Sequence, residues 1–419
     1  MKPVLSLAQL IEQHAASAPD AVALIAGEKT WTWQTLLDDA KQLAAQIPCS
    51  PEPYIYKGKS LDLALHAYAC SLRQRPFWPL DKPVSNPPSA PAGSTLIIST
   101  SGSEGDPKAV ALSTSNLASA AQTANQRLPL VVGDIWLACL PLYHIGGQSI
   151  LWRCAQAGAS VLLHEGFDAA AVATDFERYP VTHISLVPAM LSRLLEIGIK
   201  PPSSLRHAII GGAALSPTLY EKASAAGWPL NPSYGMSESS AQIATWTTAD
   251  GPWQPGLVGT AQGENKISLD SAGRILLRGP QIMVGYLGQL PHPKDDWFTT
   301  SDLGKIDAKG RLTVTGRADD MLISAGRNVH PLEIESCLAA CPGIRDVAVT
   351  GLPDPVWGDL IVALVVGDAS PDEITRWSTP RLPSAALPRR IIQLASLPRT
   401  AAGKLERGTL RRLASEACA

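Results

Sequence analysis

At 419 residues and 45% hydrophobic content the chain is too long for one core, and a net charge of −2 with dispersed basic residues points away from nucleic acid and anionic membranes. No uninterrupted apolar stretch reaches ~20 residues, the bilayer-spanning length, and the first apolar run is broken by Gln9, Glu12 and His14, unlike a signal peptide. Cys49, Cys70, Cys139, Cys154, Cys337, Cys341 and Cys418 are odd in number and form no CxxC pair, so they read as reduced thiols of a cytoplasmic protein.

Helical spacing of apolar residues predicts helices over 5–17, 33–46 and 61–73. "PLDKPVSNPPSAPAG" is too rich in proline for regular structure and reads as a loop. "TLIIST" reads as a strand running into "STSGSEGDPK" (99–108), and "NLASAAQTANQRL" as the next helix. "DIWLACLPL", "ASVLLH", "HISLVP" and "HAIIGG" are short apolar runs, each closed by turn residues, with helices such as 188–197 and 216–226 between them. Strands alternating with helices predict a largely parallel α/β sheet. "GRILLRG" and "GRLTVTG" read as antiparallel hairpins. Past the polar junction "GRADD", a tail of about 100 residues has its own strand–helix pattern, enough for a small α+β domain.

The stretch "STSGSEGDPK" suits phosphate. Gly102 and Gly105 let backbone N–H groups converge on an anion, Ser99, Thr100, Ser101 and Ser103 supply hydroxyls, and Lys108 supplies charge. A Walker A lysine opens a helix, whereas Lys108 follows Pro107 and enters an apparent strand, which excludes a P-loop NTPase. Taken alone, the stretch reads equally as a Ser/Gly surface loop.

The loop resembles the signature loop of the adenylate-forming superfamily, which includes acyl- and aryl-CoA synthetases, peptide-synthetase adenylation domains and luciferases. Six further segments resemble that superfamily's motifs in order: "PLYHIGG", "GGAAL", "YGMSES", "TSDLG", "GRADDMLISAGRNVHPLEIE" and "PRTAAGKLER". The resemblance implies a large multi-layer α/β N-terminal domain with a distorted β-barrel portion over 1–317. It also implies a small mobile α+β domain over 318–419. The implied chemistry is attack of a carboxylate on the α-phosphate of ATP, expulsion of pyrophosphate, then transfer of the acyl group to a thiol. Two anions must approach each other, so cations and donors have to neutralise both.

Residue by residue, the resemblance gives Lys404 the bridge between carboxylate and α-phosphate, and Ser237 a hydrogen bond to that phosphate. Thr100, Ser101, Gly102, Ser103, Gly105 and Lys108 would hold the outer phosphates. Gly212, Ala213, Ala214, Tyr234 and Gly235 would face adenine, and Asp302 and Arg317 the ribose. Glu238 would bind Mg²⁺, a hard cation satisfied by one or two carboxylates plus phosphate oxygens. Asp319 matches the hinge and Gly326 the thiol's path, where a bare backbone leaves room for a pantetheine arm. A core tyrosine, an Asp–Arg surface pair and a turn glycine are the ordinary alternatives for Tyr234, for Asp302 with Arg317, and for Gly326. Glu104 departs from the usual Ser/Thr, which puts a direct phosphate contact by that residue in doubt.

"PLYHIGGQSILWRCAQAGASVLLH" resembles the o-succinylbenzoate–CoA ligases of menaquinone biosynthesis. An aromatic diacid needs partners for its second carboxylate. His144, Gly146, Gly147, Gln148, Arg153 and Ser239 are the pocket candidates, with Arg153 equally readable as a helix-surface residue. The implied cosubstrates are ATP with Mg²⁺ and CoA. A carrier protein as acceptor, and a non-catalytic nucleotide-binding homologue, are the alternatives.

Overall fold

The computed structural model describes residues 4–84, 87–100, 108–400, 403 and 405–418. Its centre is a 13-stranded sheet. The strands Val22–Ala26, Ser160–Leu163, Ile135–Ala138, His183–Leu186, His207–Ile210 and Leu230–Met236 lie side by side and run parallel. Their apolar runs are nearly continuous, as expected for strands covered on both faces. Beyond Leu230–Met236 the order turns antiparallel through Ala241–Thr245, Leu257–Ala261, Leu312–Arg317, Phe298–Ile306, Arg274–Arg278 and Lys266–Leu269. The part expected as a distorted barrel is thus hydrogen-bonded as one end of the large sheet.

A second, five-stranded sheet holds Tyr54–Lys57, Phe77–Leu80, Ser94–Thr100, Lys108–Ser113 and Gly285–Tyr286. The helices Leu7–Ser17, Trp33–Gln46, Ser60–Leu72, Thr114–Arg127 and Ile145–Ala157 share with facing strands of both sheets one core built on Ile11, Leu36, Ile98, Leu112, Trp136 and Leu151. On the other face of the large sheet, Ala169–Arg178, Pro188–Glu196 and Pro217–Ala225 cover Leu137, Ile184 and Ile210. The layers therefore run sheet, helices, sheet, helices.

The tail has cores of its own. Leu322–Ser324, Arg327–Val329, Ile344–Asp354, Gly358–Gly367 and Arg390–Gln393 form a five-stranded sheet. Ile334, Leu338, Ile361 and Ile374 pack on one side of it, and Ala348, Leu364, Leu410 and Ala414 on the other. It meets the larger body at a few points, among them the Thr218 hydroxyl donating to the Ala339 carbonyl at 3.2 Å. No helix among the described residues is long and apolar enough to cross a membrane.

Candidate active site

In open parallel sheets ligands gather at the carboxyl ends of the strands. Here Leu230–Met236 runs into a short turn, Ser237–Ser239. A Cβ on Gly235 would lie 2.0 Å from the Ala241 carbonyl oxygen, so only glycine lets the chain fold back that closely. Ser240 (φ +56°) and Ala241 (φ +93°) take left-handed backbone, a strain of about 1–3 kcal/mol each that surrounding contacts must hold. The Ser239 hydroxyl donates to the Ala241 carbonyl at 2.8 Å and accepts from the Met236 amide at 3.0 Å, and the Ser240 hydroxyl donates to the Gln281 carbonyl at 2.8 Å. This pinned turn presents Ser237 and Glu238, both half-buried. Next to it, after His207–Ile210, Gly212 (φ +76°) leads into Ala213 and Ala214, which are exposed.

Ser94–Thr100 and Lys108–Ser113 are antiparallel partners with Thr100 opposite Lys108, and the Thr100 hydroxyl donates to the Lys108 carbonyl at 3.0 Å. Lys108 does begin a strand. Ser101, Gly102, Ser103, Glu104 and Gly105 lie outside the described residues, as does Lys404. The Lys108 ammonium stands 5.3 Å from the ring centroid of Tyr286, whose hydroxyl donates to Glu238 Oε1 at 2.9 Å. Burial, then the Glu238 carboxylate, raises the Tyr286 pKa, which keeps the hydroxyl a donor.

Asp302 and Arg317 face each other on neighbouring antiparallel strands. The Arg317 guanidinium donates to Asp302 Oδ1 at 3.2 Å and forks onto Asp319 at 2.9 and 2.6 Å. The Tyr234 hydroxyl donates to Asp302 Oδ2 at 2.7 Å. Tyr234 is 8% exposed, and its ring packs with Ile243, Ile275 and Leu312. Burial and then Asp302 push the phenol pKa up. Burial alone would lower the Arg317 pKa, but the carboxylates of Asp319, Asp302 and Asp320 outweigh it and hold the guanidinium charged. The residues read for metal, phosphate and ribose thus form one chain of contacts, Lys108–Tyr286–Glu238 and Tyr234–Asp302–Arg317–Asp319, joined through residues 234–238.

His144 precedes the helix Ile145–Ala157 and lies against the Tyr143 ring, centroids 4.7 Å apart. A Cβ on Gly147 would sit 2.4 Å from the Pro141 carbonyl oxygen, and one on Gly146 3.2 Å from Leu140 Cδ1, so the glycines let the first helical turn press on residues 140–141. Beside this turn opens a cleft of about 450 Å³, lined by Lys59, Tyr143, Glu165, Val187, Met190 and Gly403 among others. None of Gln148, Arg153 and Ser239 is among the residues lining this cleft. Gln148 is fully buried and donates to the Leu142 carbonyl at 2.7 Å, Ser239 is spent on its own turn, and Arg153, 3% exposed, lies over the Trp136 ring at 5.3 Å. The helix-surface alternative for Arg153 does not hold, since the side chain is buried. Burial pulls its pKa down to about 10.

The C-terminal segment reaches this cleft. A Cβ on Gly403 (φ +74°) would meet Val187 Cγ2 at 2.6 Å, at the end of a parallel strand. Arg399 grips both Asp346 oxygens at 2.9 and 2.8 Å and donates to the Gly403 carbonyl at 2.9 Å, bracing the residue before Lys404. Gly326 (φ +70°) and Ala325 (φ +50°) form the two-residue turn between Leu322–Ser324 and Arg327–Val329, with open space where a Cβ would stand on Gly326. Tyr286 and Arg399 were not singled out from sequence. A two-residue strand carries no periodicity, and an arginine beside a motif lysine reads as surface charge.

The chain matches the AMP-binding enzyme family over residues 53–287 and the AMP-binding enzyme C-terminal domain over 333–404. It is 36% identical over 322 residues to the 2-succinylbenzoate–CoA ligase of Listeria monocytogenes, covering 75% of this chain and 69% of that one. The o-succinylbenzoate CoA synthetase of Bacillus subtilis with its acyl-adenylate intermediate superposes with a TM-score of 0.86 at 26% identity, over 96% of this chain and 97% of that one. The same enzyme with ATP and magnesium ion gives a TM-score of 0.85 at 27% identity, over 96% and 98%.

Proposed function

Because the chain belongs to the AMP-binding enzyme family, we propose that it is an ATP-dependent acid–CoA ligase whose acid is 2-succinylbenzoate, acting in menaquinone biosynthesis. A carboxylate oxygen bonds to the α-phosphorus while the bond to pyrophosphate breaks. The CoA thiol then displaces AMP from the acyl-adenylate, its proton leaving as the thioester forms. The observation that carries this reading is the contact chain from Lys108 to Arg317. It runs from a cation through a carboxylate to an Asp–Arg pair, an order that suits a nucleotide triphosphate.

In this reading Asp302 and Arg317 hold the ribose, the exposed 212–214 loop and Tyr234 border the adenine, and Lys108 faces the outer phosphates. Ser237 donates to the α-phosphate, and Lys404, behind Gly403, meets the carboxylate. His144 and its glycines border the acid, and Gly326 borders the thiol's path. Glu238 suits Mg²⁺: its Oε2 has no hydrogen bond among the described residues, and a carboxylate oxygen is the ligand type this hard cation takes. Bound with ATP, the ion would neutralise phosphate charge. Residues 318–419 act as a domain turning at Asp319. CoA is the acceptor because the relatives are CoA ligases, and the unpaired state of all seven cysteines supports a cytoplasmic setting.

The test is pyrophosphate release with 2-succinylbenzoate, benzoate and hexanoate, each with and without CoA. The diacid is expected to be turned over best, with CoA thioester as product. Good turnover of a monoacid and none of the diacid would remove the substrate, and no pyrophosphate with any acid would remove the ligase.

A further inference from the structure

We propose that Tyr286 is a positioning residue that fixes the Glu238 carboxylate for the metal and ties it to the lysine of the phosphate hairpin. The inference rests on the reading of Glu238 given above.

Its ground is where the hydroxyl goes. The ring of Tyr286 is half-buried against the inter-sheet core, a place a phenylalanine would fill as well. The hydroxyl instead reaches Glu238 Oε1 at 2.9 Å. A glutamate has three side-chain torsions and two equivalent oxygens. One donor on Oε1 selects a single orientation and leaves Oε2 free of hydrogen bonds among the described residues, the state of a carboxylate that binds a cation through one oxygen. The backbone holds both ends of the contact. The Met283 amide donates to the Glu238 carbonyl at 2.8 Å, and Tyr286 pairs with Val110, two residues beyond Lys108. The Asn116 amide group clamps the carbonyls of Pro280 and Ile282 at 2.8 Å each. Residues 280–286 therefore form a strap between the turn that carries Glu238 and the hairpin that carries Lys108. On the strap's far side the Lys108 ammonium lies 5.3 Å from the Tyr286 ring, within cation–π reach. One side chain thus spaces the cation for the outer phosphates from the carboxylate for their metal.

The experiment uses the full chain and measures equilibrium ATP binding by titration calorimetry, in EDTA and over a Mg²⁺ series. Tyr286→Phe keeps the ring and Lys108's contact and removes only the hydroxyl. It is expected to raise the Mg²⁺ concentration for half-maximal enhancement of ATP binding by about tenfold, the lower range for losing a partner of a metal ligand, and to leave binding in EDTA unchanged. Added to Glu238→Gln, it should produce no further shift. A Tyr286→Phe protein whose Mg²⁺ dependence matches the unsubstituted enzyme while Glu238→Gln shifts it would overturn the positioning role alone. A Glu238→Gln protein with unaltered Mg²⁺ dependence would overturn the reading of Glu238, and the role of Tyr286 with it.

Discussion

Thiol reactivity follows burial residue by residue. Burial pushes Cys70 and Cys139 up to about 12 and raises Cys154 further, so none carries appreciable thiolate at neutral pH. Cys49 and Cys418 are exposed. Maleimide is therefore expected to modify those two in the native protein and the buried thiols only after denaturation, as peptide mapping would check. Rapid labelling of Cys139 would contradict the packing of its strand end. Arg153 shows where reading a residue as helix surface fails. A lone arginine in a helix is ordinarily solvated, but Ile145–Ala157 is covered on nearly every side, so its polar positions are interior. Gln148 and Ser239 stand beside the motifs in sequence, and in the fold their side chains donate to backbone carbonyls.

Among the elements, the antiparallel pair Phe298–Ile306 and Leu312–Arg317 has the most direct consequence. Its register sets Asp302 against Arg317, and Tyr234 occupies the other carboxylate oxygen. Both partners orient the carboxylate. Asp302→Asn should weaken ATP by roughly 10- to 150-fold in kcat/KM, the range for losing a hydrogen bond to a charged group. Discrimination between ATP and 2′-deoxy-ATP should fall with it, and a variant that lost turnover while keeping that discrimination would place the ribose elsewhere. The parallel strands Ile135–Ala138, Ser160–Leu163, His183–Leu186 and His207–Ile210 were legible because buried strands read as unbroken apolar runs between turns. Val22–Ala26 with Lys29–Thr32, Tyr54–Lys57 and Gly285–Tyr286 were not read; Tyr54–Lys57 has no unbroken buried run and Gly285–Tyr286 is two residues, too short for any period. Lys108 opens a strand, as read.

For the whole molecule, the contact of Gly403 with Val187 brings the tail to the carboxyl end of the strand His183–Leu186. If Lys404 serves adenylation there, Lys404→Ala should slow acyl-adenylate formation by about 10²–10⁴-fold, the scale for a preorganised electrostatic contact. Thioester formation from supplied acyl-adenylate should survive. Equal loss in both half-reactions would remove the rotating-domain reading. A second molecular property lies at the opposite ends of the strands. His183, fully buried between Trp136 and His207, is pushed down to about 3 by burial and then by His207. Thr182 meets its Nδ1, Arg206 and Asp134 are the charged groups nearby, and burial lowers His207 as well. The folded state keeps His183 neutral while the unfolded chain binds a proton below about pH 6.5. This contribution to stability is therefore complete above that pH and declines toward pH 3 by up to about 1.4 kcal/mol per pH unit. His183→Phe should flatten the fall in thermal midpoint between pH 7 and pH 5, and an unchanged slope would assign the acid sensitivity to other groups.

Arg153 carries one more consequence, for tolerance of heat. With its pKa at about 10 the guanidinium is still protonated at neutral pH, yet it is 3% exposed and its Nε has no hydrogen-bond partner among the described residues. Its face-on contact with Trp136 returns only part of the hydration it gives up. A flexible apolar side chain of similar length would fill the same space without that loss. Arg153→Met is therefore expected to make the protein melt later, by about 1–4 kcal/mol of added stability. Denaturation scans would register this as a higher midpoint. The helix beside the cleft thus holds the molecule below the stability its packing would otherwise allow.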